Sequence, residues 1–218
     1  MPTYLSIVNE VLRRLREDEV SNVSDTSYSK LIGDFVNQVK EEMEDAADWN
    51  ALRSTIQVTT SGDSTTFRYS LTSTGQRSRI IDVWNDTEDS WMHKRDTHYL
   101  TSMLNTDPVD INSAMYYGIN GVDSSGDIYV DTYPVTNAVE TLNFNMVVPE
   151  TALSANTDIT NLPRRALVLG VRALAVSERG EDGGTSYTET NQKYIDALSD
   201  AIAINASYFP SEFIMEVV

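Results

Sequence analysis

The sequence predicts an α+β fold in which helices drawn from both ends of the chain flank an inserted β-rich segment. Three observations predict it. Threonine, which favours strands, gathers in the middle, with 17 of 22 residues between positions 51 and 160. Alanine, which favours helices, does the reverse, with 9 of 14 outside that window. Apolar residues recur at helical spacing near both ends and alternate with polar ones in between. The reading is a four-helix bundle from residues 1–50 and 159–207, an inserted sandwich or barrel-like β domain at 51–158, and a C-terminal extension at 208–218.

The first helix is expected from Tyr4 to Arg16, with Thr3 as N-cap and Ile7, Val8, Val11, Leu12 and Leu15 on one stripe. A second follows Asp25 or Thr26 and runs to about Asp48, burying Ile32, Val36, Val39 and Met43. Its acidic end, Glu41, Glu42, Glu44 and Asp45, reads as a solvated helix terminus. From Ser54 the period becomes two. Ile56 and Val58, the turn at residues 61–64, then Phe67, Tyr69 and Leu71 make a β-hairpin signature. Ile80 to Trp84 and Trp91 with Met92 suggest further strands, and Asp96 to Leu104 a short helix. Strands follow at Ala114–Ile119, Asp127–Thr132 and Val139–Val148. Asn161 is expected to cap a helix that carries Pro163 in its first turn. From Ala166 to Val176 that helix is apolar around most of its circumference and must be covered on several sides. Gly180 ends it, and Ser186 with Glu189 resembles a capping box for the last helix.

Charge and composition exclude several function classes. The 218 residues carry 33 Asp and Glu against 16 Lys and Arg, a net charge of −17. Gripping nucleic acid or docking on anionic membranes needs clustered cations instead. There is no cysteine, which removes disulfides, thiol catalysis and cysteine-ligated metals. No basic-then-apolar leader opens the sequence and no run approaches membrane-spanning length, so a soluble protein on the cytosolic side is expected.

The search for chemistry yields little. The two histidines, His93 and His98, fall on a strand, turn and helix start, so they are read as surface residues. Asp123, Asp127 and Asp131 lack the alternation and late Glu of a calcium loop and read as a polar hairpin turn. Asp86, Glu88 and Asp89 sit in an expected loop. No phosphate-binding loop, nucleophile elbow or dinucleotide fingerprint is present. No catalytic residue, metal or cofactor is therefore expected, and the chain is read as a non-enzyme. Among the cations, Arg13, Arg14 and Arg16 gain from the dipole at the end of the first helix. Arg164 and Arg165 open a helix and gain nothing there, which makes them candidates for pairing with an acidic partner.

The order of features resembles a known family. Two helices end near Asp48, Trp49 and Asn50; a β-rich insertion carries Tyr116 to Ile119 and then Tyr133-Pro134. Leu162-Pro163 opens an alanine-rich helix, and Tyr194 with Leu198 marks the closing one. This layout is similar to bacteriophage head-to-tail adaptor (connector) proteins, most of all to the tail tubular protein A adaptors of short-tailed phages. The resemblance implies a structural virion protein at the head–tail junction, assembled in the bacterial host cytoplasm. It further implies a homo-oligomeric ring, usually of twelve copies, that joins the portal protein to the tail nozzle protein while genomic double-stranded DNA passes through unbound. Ring closure needs a heterologous interface, to which the apolar third helix of the bundle could lend a flank. The extension would reach the portal through Tyr208, Phe209, Phe213, Ile214, Met215, Val217 and Val218.

Three other readings stay open. One is a neck or head-completion protein of a long-tailed phage. Another is a carbohydrate- or receptor-binding module using Trp84, Trp91, Tyr116 and Tyr117. The last is a hydrolase built from scattered carboxylates. The charge spreads as −6, −7 and −4 over residues 1–50, 51–150 and 151–218, so no single tail accounts for it. Such acidity is compatible with a channel wall along which phosphates slide.

Overall fold

The computed structural model describes residues 1–106, 108–180 and 185–208. Among them the chain forms α1 (Tyr4–Arg14), α2 (Ser27–Ala46), β1 (Arg53–Thr59), β2 (Arg68–Leu71), β3 (Arg79–Asn85), β4 (Ser90–Trp91) and β5 (His93–Lys94). Then follow α3 (Thr97–Leu104), β6 (Tyr116–Val122), β7 (Ile128–Tyr133), β8 (Thr141–Val147), α4 (Arg164–Arg179) and α5 (Thr185–Ala206). The class is α+β. The chain divides into two compact units, Met1–Ala51 with Glu150–Val218, and Leu52–Pro149.

In the first unit, α1 starts where the Thr3 hydroxyl accepts from Ser6 N. It stops at Arg14, two residues short of the expected end, because Arg16 takes φ 61° and Glu17 N closes back on Leu12 O. Thr26 and Ser29 form a reciprocal capping box for α2. The apolar α4 packs against α1, α2 and α5, which bury Leu167, Val168, Val171 and Ala173. Its circumference is thus covered by the chain's own helices. Gly170 permits the closest approach: a Cβ there would sit 2.6 Å from Val39 and 3.0 Å from the Tyr194 ring.

Three expectations change in this unit. Glu44 is not on a solvated face. It is fully buried and ion-paired with buried Lys40 at 2.7 Å, one helical turn earlier. Asn161 does not cap α4. Its backbone N–H and side-chain amide both donate to the Glu150 carboxylate, and Pro163 takes the N-cap position without a side-chain bond. The unit boundary lies at Pro149/Glu150 rather than after 158, because residues 150–158 are tied to the helices. Asn37 exchanges two hydrogen bonds with the Leu153 backbone, and Tyr4 N donates to Asp158 O.

The second unit holds two four-stranded sheets, ordered β1-β8-β3-β4 and β2-β7-β6-β5. All pairings are antiparallel except β5 with β6. Both sheets contribute to one apolar core around Leu71, Val83, Val130, Leu142 and Phe144. The expected hairpin of β1 with β2 is not formed: β1 pairs with β8 and β2 with β7, in different sheets. The connection at 60–67 is longer than a hairpin loop, and Thr60 is held to Glu140 and Ala138 at the β8 end. Asp63 then gathers the N–H groups of Thr65 and Thr66, turning the chain toward the second sheet. A second crossing lies at Met92 and His93, whose N–H groups donate to Val83 O in β3 and to Met115 O just before β6.

Candidate functional site

The residues singled out for chemistry have structural roles or stand on the surface. His93 and His98 are exposed, and among the described residues no group of three or more His, Asp and Glu is placed to hold a metal ion. Asp123 accepts from Ser70 Oγ and from the N–H groups of Ser125 and Asp127, and the Ser70 bond leads in lowering its pKa. Asp127 accepts from the N–H groups of Ser73, Thr74 and Gly75. Asp131 takes a two-pronged contact from Arg68, at 2.6 and 2.9 Å. Asp123 and Asp127 sit at the turn between β6 and β7, as the hairpin-turn reading has it, but Asp131 is buried within β7 and holds Arg68 of the neighbouring β2.

Aromatic residues of the second unit divide by burial. Tyr117 is buried edge-on against Phe144 and offers nothing to a ligand, which overturns its place in a sugar-stacking platform. Tyr116 lies under the Arg95 guanidinium at 5.0 Å and meets Tyr99 edge-on. Trp91 is 57% exposed and stands edge-on to Trp84, with ring centroids 4.9 Å apart. One exposed tryptophan without a flat neighbour makes a poor carbohydrate platform.

One concavity of the first unit, about 370 Å³ in volume, is bounded by α1, α4 and α5. Arg14 and Arg16 reach it from the end of α1, Arg172 and Arg179 from α4, and Lys193 from α5. Leu15 and Val176 supply its apolar lining, and Glu189 a single carboxylate. The helix spacing explains the convergence, since Arg172, Val176 and Arg179 recur on one face of α4. Two of the five cations are anchored. Arg14 bonds Glu10 at 2.8 Å, and Arg179 bonds Glu17 and the Tyr28 hydroxyl. Burial opposes the Arg179 charge, but those two bonds prevail and its pKa is raised. Arg16, Arg172 and Lys193 have no ion-pair partner among the described residues, and Arg172 Nε is buried without an acceptor. The sequence signal was a cation inside an otherwise apolar helix.

Arg164 and Arg165 both find carboxylates within the chain. Arg164 Nε lies 2.8 Å from Glu10, which it shares with Arg14. Burial would raise the Glu10 pKa, but the two guanidinium bonds outweigh it and lower the value. Arg165 is 75% exposed and stands 3.8 Å from Asp200. Of the residues expected to reach a portal, Tyr208 is exposed after the end of α5. Phe209, Phe213, Ile214, Met215, Val217 and Val218 lie outside the described residues. Among the described residues no helix is long and apolar enough to cross a membrane.

One family model, described as SU10 adaptor protein, matches residues 2–211 and so spans both units. No curated protein matches the chain.

Proposed function

Since the chain belongs to the SU10 adaptor protein family, we propose that it is a bacteriophage head-to-tail adaptor of the tail tubular protein A kind. In this reading it is a structural virion protein without enzymatic activity, assembled in the host cytoplasm and resident at the head–tail junction. Copies form a ring, with twelve as the number the resemblance implies, between portal and tail nozzle. The helices α1, α2, α4 and α5 serve as a four-helix bundle, and the β-rich unit is its insertion. The observation that carries the proposal is the family match across residues 2–211. It is supported by the order of the elements.

Two features fit a ring through which DNA moves. The net charge of −17 offers phosphates little to bind, since each cation contact would act as a brake. The apolar α4 is covered by its own unit, so the heterologous contact between copies falls to other surfaces. Mixing the purified protein with portal rings and imaging them tests the proposal. Twelve-fold density capping the portal is expected; a protein that stays monomeric and does not dock would overturn it. Deleting residues 208–218 should abolish docking, and unchanged docking would remove the extension from the proposal.

A further inference from the structure

We infer that the cavity between α1, α4 and α5 is a receptor site for a carboxylate-bearing segment of another protein chain. Five of the chain's 16 Lys and Arg line it, although acidic residues outnumber basic ones twofold overall. Among the described residues, ion pairs engage Arg14 and Arg179 of these five. Arg16, Arg172 and Lys193 face a shared concavity with no ion-pair partner among the described residues. The Nε of Arg172 is withdrawn from water with no acceptor, a cost that an incoming carboxylate oxygen would remove. Arg16 holds φ 61°, where glycine is the favoured residue, so a charged side chain is kept at some backbone expense beside the cavity.

Shape and charge select the ligand. A volume of about 370 Å³ admits a few side chains and no duplex. Its lining mixes guanidinium and ammonium groups with Leu15 and Val176, which suits an acidic residue flanked by apolar ones. A guanidinium fork receives a carboxylate through two parallel bonds. Nucleic acid needs a track of cations in succession. Here Glu189 and the Arg179-bound Glu17 interrupt any such track. The site lies within one unit and does not rest on the adaptor reading.

The test uses the full chain and a fluorescein-labelled peptide of alternating Glu and Leu, followed by anisotropy at low and high salt. Labelled duplex DNA and a Lys-Leu peptide run alongside. The Glu-Leu peptide should bind, and more weakly at high salt. Lys193→Gln, on an exposed stretch of α5, should weaken it by about ten- to hundredfold, as should Arg172→Gln, while Arg165→Gln leaves it unchanged. Arg172→Lys keeps the charge but loses the fork and should fall between wild type and Arg172→Gln. Failure of the peptide to bind, tighter binding of DNA, or Lys193→Gln behaving as wild type would each overturn the inference. None of these outcomes bears on portal docking.

Discussion

Replacing Lys40 by Met should be among the most damaging single substitutions in the helical unit. The Lys40 ammonium lies 2.7 Å from Glu44 Oε1 and 2.7 Å from Glu150 O, and both side chains of the pair are essentially inaccessible. The same Glu44 oxygen accepts from Glu150 N at 3.0 Å, so two side chains of α2 hold one peptide where the chain re-enters the unit. Removing the ammonium takes the Lys40 charge away from the buried Glu44 carboxylate and the donor away from Glu150 O, which costs about 3–5 kcal/mol. At this chain length that corresponds to a fall in melting temperature of about 6–20 °C. Urea unfolding followed by far-ultraviolet circular dichroism reads the helices directly. Lys40→Met with Glu44→Leu removes both charges and should be at least about 1 kcal/mol more stable than Lys40→Met alone. It should not regain the full loss, because the Glu150 N–H and C=O each lose a partner. A Lys40→Met protein within about 0.5 kcal/mol of wild type would refute the reasoning, as would a double variant weaker than the single one.

Gly170→Ala should destabilise by about 1–3 kcal/mol, because the new methyl presses on Val39 and Tyr194; this outweighs a helix-propensity gain of about 1 kcal/mol, and thermal melts decide the sign. The Tyr194 phenol, raised to about 12 by burial first and Glu42 second, should be a late-titrating tyrosine in absorbance titrations, and Tyr194→Phe should remove that component. Because the fold favours the neutral phenol, this contribution to stability is complete below pH 10 and is lost as pH rises through about 12. Glu10 has the opposite sign. Its lowered pKa adds stability above the ordinary value of 4.5 that disappears on further acidification, so the gap between wild type and Glu10→Gln in urea midpoints should close as pH falls below 4.5.

Local signals were legible in the sequence wherever one residue decides the backbone. Thr3, Thr26 and Asp96 each cap a helix, and Gly180 ends α4 with φ 61°. These features depend on neighbours a few positions away. Pairings across long separations were not legible in the same way. The alternation in β1 and β2 marks both as strands, but nothing local states that β1 takes β8 as its partner and β2 takes β7. A turn motif between two strands favours a hairpin only when the loop is short and no other strand competes for the edge. Asn161 misled for a related reason. It has a cap's chemistry and position, but the Glu150 carboxylate, brought in by the boundary segment, claims both of its N–H groups.

Charge shows the same division most clearly. A count fixes the total at −17 yet treats Lys40 and Lys193 as equals. In the fold, Lys40 sits 2.7 Å from Glu44 with no access to water, and its value lies in holding the unit together. Lys193 stands exposed beside a cavity with no ion pair among the described residues, and removing it should leave stability nearly untouched. Glu10 separates the two conditions again, by taking Arg14 and Arg164 onto one carboxylate while Arg16, two residues after Arg14, has no carboxylate partner among the described residues. The excess of acid does not neutralise every base, because pairing is decided by reach and not by number. The residual cations of an acidic chain therefore mark where its surface departs from simple repulsion, and here three of them border the same cavity.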